Sequence, residues 1–119
     1  MTAESTTPET ITYSDFAKVD VRVGRIVRAQ LHPTARNPAY QVWIDFGPEI
    51  GEKKSSAKLT VLYSAEELVG RQVIAVVNFP RLQVADFMSE VLVLGAMADA
   101  DTVVLLQPDR EVPLGSPMA

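Results

Sequence analysis

Apolar residues fall on alternate positions over much of this chain, the period of strands that bury one face. The longest such stretch runs from Val19 to Leu31. Val19, Val21, Val23, Val27, Ala29 and Leu31 alternate with Asp20, Arg22, Arg28 and Gln30. Arg25 and Ile26 sit on the wrong faces for this register, and Gly24 just before them marks a bulge or sharp bend. A second alternation, Tyr40 to Phe46, sets Tyr40, Val42, Ile44 and Phe46 against Gln41, Trp43 and Asp45. A third strand is predicted from about Lys54 to Leu62. The fourth, Gln72 to Asn78, is Val/Ile/Ala-rich and reads as buried on both sides. Strand five is predicted over Ser89 to Leu94, and Thr102 to Leu106 is a further strand after the turn at Asp99-Ala-Asp101.

Turn and helix signals punctuate this pattern. Ser14-Asp-Phe-Ala17 reads as a capped helical turn with Ser14 as N-cap. Residues 32–39 carry two prolines and Asn37, and read as a loop. Ser64-Ala-Glu-Glu67 is a capping box, and Gly70 ends the short helix behind it. Phe79 to Phe87 reads as a loop containing Pro80. Three strands, a short helix and two more strands is the order of an OB-fold, a five-stranded all-β barrel with a helix between strands three and four. Here extra terminal strands are added to it. Residues 14–119 are expected to form this one domain, and 1–13, polar and acidic, a disordered tail.

Composition narrows the chemistry. The 119 residues contain no cysteine, so disulfides, thiol nucleophiles and thiolate metal sites are excluded. No apolar run nears the roughly 20 residues that cross a bilayer, and the first residues lack the pattern of a signal peptide. A cytoplasmic location is the expectation. The single histidine, His32, precedes a proline and reads as a solvated loop residue. One His without Cys makes a transition-metal site unexpected. No phosphate-binding glycine motif is present, and neither a cofactor nor catalysis is expected.

The formal net charge of −4 argues against indiscriminate nucleic-acid binding. Its distribution is uneven. Residues 1–58 hold eight of the eleven Lys/Arg against seven acids, whereas residues 59–119 hold three against eight. An OB barrel binds oligonucleotides on the face of strands two and three and the loops beside it. Those segments carry Arg36 and Asn37, Arg81, and Lys53-Lys-Ser-Ser-Ala-Lys58. Amines and hydroxyls of this kind suit phosphate and 2′-hydroxyl contacts. Trp43, Phe79 and Phe87 offer stacking surfaces, although core or interface packing is the more ordinary role for Phe79 and Phe87.

Seven segments carry a family resemblance. They are Val19-Asp-Val-Arg-Val-Gly-Arg-Ile26, Ala35-Arg-Asn-Pro-Ala-Tyr40, Ile44-Asp-Phe-Gly-Pro48, Lys54-Ser-Ser-Ala57, Val76-Val-Asn-Phe79, Met88-Ser-Glu-Val-Leu-Val-Leu-Gly95 and Pro108-Asp-Arg110. In this order they resemble the CsaA family, export-related chaperones built from a tRNA-binding domain. The wider tRNA-binding-domain group, appended to methionyl- and phenylalanyl-tRNA synthetases, is also similar. The resemblance implies a non-catalytic homodimer that binds tRNA and holds unfolded or pre-export polypeptides. An alternative is a peptide-binding chaperone with little RNA affinity. By position, the binding cavity would take Arg36, Ser55, Ser56, Asn78, Ser89 and Glu90, with Phe87 and Met88 as its apolar wall, and Lys54 and Arg81 are expected to add cationic contacts to RNA or peptide. The stretch before Phe87 departs from the family. It keeps one cation, Arg81, and contains an acid, Asp86.

Overall fold

A computed structural model describes residues 9–119; residues 1–8 of the expected tail lie outside the described part. Helix α1 spans Tyr13–Ala17, and its N-cap is Thr12 rather than Ser14. The Thr12 hydroxyl accepts from the Asp15 amide at 3.2 Å, and the Asp15 carboxylate accepts from the Thr12 amide at 3.3 Å. Ser14 has no acid three residues on with which to form that reciprocal pair.

Strand β1 spans Val21–Leu31 and is the spine of the fold. Its first half pairs antiparallel with β4 (Gln72–Val76), and its second half with β2 (Tyr40–Asp45). The pairing with β2 shifts register between Ile26 and Arg28. The bulge is therefore at Val27, three residues beyond the glycine expected to mark it. One extra residue reverses which face each later side chain takes. That accounts for Ile26: it faces the core with Gly24, and beyond the bulge the partly buried Ala29 takes over that face, while Leu31 at the strand end is exposed. Gly24 answers a different demand. A Cβ there would lie 2.5 Å from Cγ2 of Ile44 and 2.8 Å from the Phe46 ring.

Strand β3 spans Glu52–Ala57 and pairs antiparallel with β2. It starts and ends earlier than its sequence predicts, because Leu59 to Tyr63 turn back through a Tyr63 amide bonded to the Leu59 carbonyl. Helix α2 (Ala65–Leu68) has the expected capping box of Ser64 and Glu67, and Gly70 follows at φ +96°. Its Leu68 is buried in the barrel with Ile26, Val42, Ile44, Phe46, Val73 and Ala75.

Most of the segment Phe79 to Phe87, expected as a loop, belongs to a hairpin of β5 (Leu82–Val84) and β6 (Phe87–Ser89). Its turn places the non-glycine Ala85 at φ +56°. With Ala-Asp at the turn and three residues per strand, it lacks the glycine signal by which hairpins are read. Strand β7 (Leu92–Val93) pairs with β4, and β8 (Gly95–Met97) pairs with β9 (Val103–Leu105). The main sheet runs β3-β2-β1-β4-β7. It curls into a nearly closed five-stranded barrel, the all-β OB-fold arrangement expected from the strand order.

The C-terminal tail ties the barrel together from outside. Gly115, Ser116 and Met118 exchange backbone hydrogen bonds with Val21 and Val23. Arg25 donates to the Gly70 carbonyl at 2.8 Å and to both Glu111 carboxylate oxygens, at 3.0 and 2.6 Å. That hydrogen bond holds the Glu111 carboxyl below its usual range, partly offset by desolvation. A carboxylate with a lowered pKa stabilises the fold above its ordinary pKa and ceases to as pH falls through the lowered value. Glu111→Gln is therefore expected to lower the urea midpoint at pH 7. The gap to the parent should close as pH falls below about 4. A gap of constant size across that range would show that the ion pair is not its source.

Candidate functional site

The outer face of β1, β2 and β3 carries two cross-strand rows. Arg28 stands opposite Trp43, and Trp43 opposite Lys54; next to them Gln30 stands opposite Gln41, and Gln41 opposite Ser56. These rows follow from the pleat, which sends alternate residues of β2 to opposite faces. Tyr40, Val42 and Ile44 go to the core, so Gln41 and Trp43 take the opposite face, where Gln41 is buried and Trp43 half-buried. The Arg28 guanidinium lies 4.3 Å from the Trp43 ring centroid, a cation–π arrangement. Arg28 also donates to Gln30 at 3.0 Å, and Gln30 to Gln41 at 2.8 Å. Cation, aromatic face and amides are thereby held as one preorganised platform.

The β5–β6 hairpin supplies the other side. Phe87 is 7% exposed and wedges edge-on against Trp43, with centroids 5.8 Å apart, and against His32 at 5.5 Å. Lys54 Nζ sits 4.9 Å from the Phe87 centroid. Phe87 thus joins the aromatic face instead of lining a separate cavity with Met88.

His32 is not a solvated loop histidine. Its side chain is fully enclosed, because Phe87 covers it and its amide is bonded back to the Ala39 carbonyl. Nδ1 is 3.4 Å from the Ser56 hydroxyl, and Nε2, with no hydrogen-bond partner, stops 3.6 Å short of an Asp86 oxygen. The Thr34 hydroxyl donates to the same Asp86 oxygen. That bond, more than any other contact, holds the Asp86 carboxyl below its usual range. The acid that departs from the family pattern thus ties loop 32–39 to the hairpin.

The remaining expected site residues divide into several places. Ser56, Arg81, Ser89 and Glu90 line a cavity of about 370 Å³ whose apolar wall is Phe79, Pro80, Leu82, Val84, Val91 and Leu92. Several of these polar groups also close the barrel seam. Ser55 donates to the Val91 carbonyl at 2.8 Å, Ser89 Oγ accepts from the Ser56 amide at 3.1 Å, and Glu90 accepts from the Lys54 amide at 3.1 Å. Asn78 lies apart from the cavity and spends both ends of its amide on the chain before β1, at Asp20 and Lys18. Lys58 and Asn37 line a different cavity, of about 580 Å³, with Val61, Met97 and Val103. Lys54 alone of the three lysines in 53–58 borders the aromatic face. Arg36 is exposed on the loop that Thr34 anchors.

Sequence reasoning left Arg28, Gln30 and Gln41 out of the site. The signal was present: in both alternations they occupy the polar positions of strands that pair. Among the described residues no three His, Asp or Glu side chains gather as a metal site.

The family model described as "Putative tRNA binding domain" matches residues 21–117. The chain belongs to this tRNA-binding-domain family. The match takes in every strand of the barrel and the whole aromatic face. Among curated family relatives, the methionine–tRNA ligase of Pyrococcus abyssi is 38% identical over 106 residues, 89% of this chain but 14% of that enzyme. The enzyme of Nanoarchaeum equitans is 37% identical over 106 residues, 89% of this chain and 13% of that one. The chain thus spans about one seventh of the curated relatives it matches. Two solved structures are similar over their whole length. Chaperone CsaA from Bacillus anthracis str. Ames has a TM-score of 0.89 at 47% identity, covering 93% of this chain and 100% of its own. The CsaA chaperone protein from Picrophilus torridus has a TM-score of 0.85 at 49% identity, covering 92% and 100%.

Proposed function

We propose that this chain is a non-catalytic tRNA-binding protein that takes single-stranded tRNA segments on the outer face of β1–β3. The observation that carries this reading is the Arg28–Trp43–Lys54 row beside Phe87. An indole with a guanidinium and an ammonium on either side offers a base a π-face and its phosphates two charges. The exposed amide of Gln30, held in place by the buried Gln41, offers hydrogen bonds to base edges. Family membership supports the same ligand.

A second reading rests on the cavity beside the hairpin. Its wall is mainly apolar, with Ser56, Arg81, Ser89 and Glu90 among its lining residues. Such a pocket suits an extended polypeptide, which needs apolar contact and a few hydrogen bonds to backbone. The similarity to two chaperones supports it. The two readings place tRNA on the sheet face and polypeptide in the hairpin cavity, with a cytoplasmic role linked to protein export. A titration of tRNA with an unfolded peptide as competitor tests both. Saturable tRNA binding at low salt, not displaced by peptide, is the expected result. No tRNA binding at low salt would refute the first reading, and full mutual displacement would refute two separate sites.

A homodimer is part of the proposal. Tyr13, Phe16, Met118 and Val21 border a groove of about 340 Å³ between α1 and the C-terminal residues, and Tyr13 and Phe16 are exposed large apolar side chains. Val104 in β9 and Leu106 just beyond it are further exposed apolar side chains. Light scattering is expected to give twice the 13.0 kDa chain mass at micromolar concentration, and Tyr13→Asp with Phe16→Asp to give the single mass. A monomeric parent would remove the dimer from the account.

A further inference from the structure

His32 carries the buried side-chain atom without a partner among the described residues, and no part of the binding proposal uses it. A neutral imidazole has one N–H and two neighbours that would take it. With the proton on Nδ1, it reaches the Ser56 hydroxyl, and the Nε2 lone pair faces the Asp86 carboxylate at 3.6 Å. With the proton on Nε2, it reaches toward Asp86, and Ser56 must donate to Nδ1. The imidazolium donates from both nitrogens at once. The acid facing it from the hairpin is Asp86. From β3 it meets the neutral Ser56 and, beyond the Phe87 ring, the Lys54 ammonium. Its own loop carries Arg36.

We propose that His32 is a proton-operated latch: protonation adds a second fastening of loop 32–39 to the β5–β6 hairpin through Asp86, and loss of the proton leaves only the Thr34–Asp86 bond. Thr34 already bridges the same elements to the same carboxylate, so the imidazolium completes an existing tether. The Asp86 carboxylate is held below its usual range and so stays ionised from neutral pH down to mildly acidic pH. The latch acts on the ligand face directly, because Phe87 packs on His32 with one edge and on Trp43 with another. On the acid side Phe87 is pinned against Trp43. On the alkaline side that added restraint is lost, and the Thr34–Asp86 bond alone ties the loop with Arg36 to the hairpin. The inference goes beyond the binding proposal and concerns the free protein, whatever ligand the face takes.

The chain has one histidine and one tryptophan, which makes the test direct. Trp43 emission of the free full-length chain is followed from pH 8 to pH 5. Amide hydrogen exchange in 33–38 and 82–88 is measured at both ends and corrected for the intrinsic chemical rate. The expected result is a single-proton transition in emission, with exchange in both segments slowed several-fold on the acid side. His32→Gln should abolish the transition. Asp86→Asn, at an exposed position that keeps an acceptor for Thr34, should abolish the slowing. A flat parent profile, a transition that survives in His32→Gln, or slowing that survives in Asp86→Asn would each overturn the latch. Neither readout contains RNA, so failure of tRNA binding leaves the result intact.

Discussion

Gly24→Val is expected to be the most destabilising single substitution on the spine of the barrel. Gly24 faces the core just where β1 passes from its pairing with β4 to its pairing with β2. Even the first carbon of a side chain would sit 2.5 Å from Cγ2 of Ile44 and 2.8 Å from two ring atoms of Phe46. Neither neighbour yields readily. The Ile44 methyl is fixed near its own backbone by β-branching, and both residues are enclosed, at 0% and 1% exposure. Adding carbon to a well-packed core costs about 1–3 kcal/mol, and more where the backbone must shift. Valine adds three carbons, so a loss at or above about 3 kcal/mol is expected, a large part of a typical domain's total stability. Urea unfolding of Gly24→Val against the parent reads this directly. Val27→Ala, at the exposed bulge, is the comparison and should stay within about 0.5 kcal/mol. If the two variants unfold at similar midpoints, the close approach at Gly24 is not a determinant of the barrel.

Trp43→Ala is expected to have the largest effect on ligand binding. Its ring is the centre of the platform, with Arg28 over one part and Phe87 against its edge. Stacking of a base on an aromatic side chain contributes about 1–3 kcal/mol, which corresponds to roughly 5- to 150-fold in Kd. The substitution also removes the support that positions Arg28 and Phe87, so the loss should fall toward the upper end. Trp43→Phe keeps a π-face and should recover most of the affinity. Because Trp43 faces out from β2, the unfolding midpoint should move far less than for Gly24→Val. Binding of a single-stranded oligonucleotide by fluorescence anisotropy separates these outcomes. An affinity within twofold of the parent in Trp43→Ala would move the site off this face.

Strand order and the faces of β2 were legible because alternation is a local signal, and so was α2, whose Ser64 and Glu67 form a box within four residues. The bulge at Val27 was less so. The disturbance in register at Arg25 and Ile26 is visible in the sequence, but the residue that absorbs it is set by the partner strand. The hairpin at 82–89 was hidden because Ala85 adopts a positive φ without glycine, held by pairing that no composition signals. His32 was misread for a related reason: its burial depends on Phe87, fifty-five positions away in sequence. The double serine and Ser89-Glu90 stood out as chemical groups. Their seam-closing bonds, from Ser55 to the Val91 carbonyl and from the Lys54 amide to Glu90, exist only across the barrel.

The central claim is that tRNA lies across the Arg28–Trp43–Lys54 row, and salt dependence tests it most directly. Each phosphate contact on a single strand contributes about 0.7 to the slope of log K against log salt. Affinity for tRNA is measured from low to moderate salt for the parent and for Arg28→Gln with Lys54→Gln. The account predicts a negative parent slope that flattens by about 1.4 in the double variant. A parent slope near zero, or an equal slope in both proteins, would contradict it.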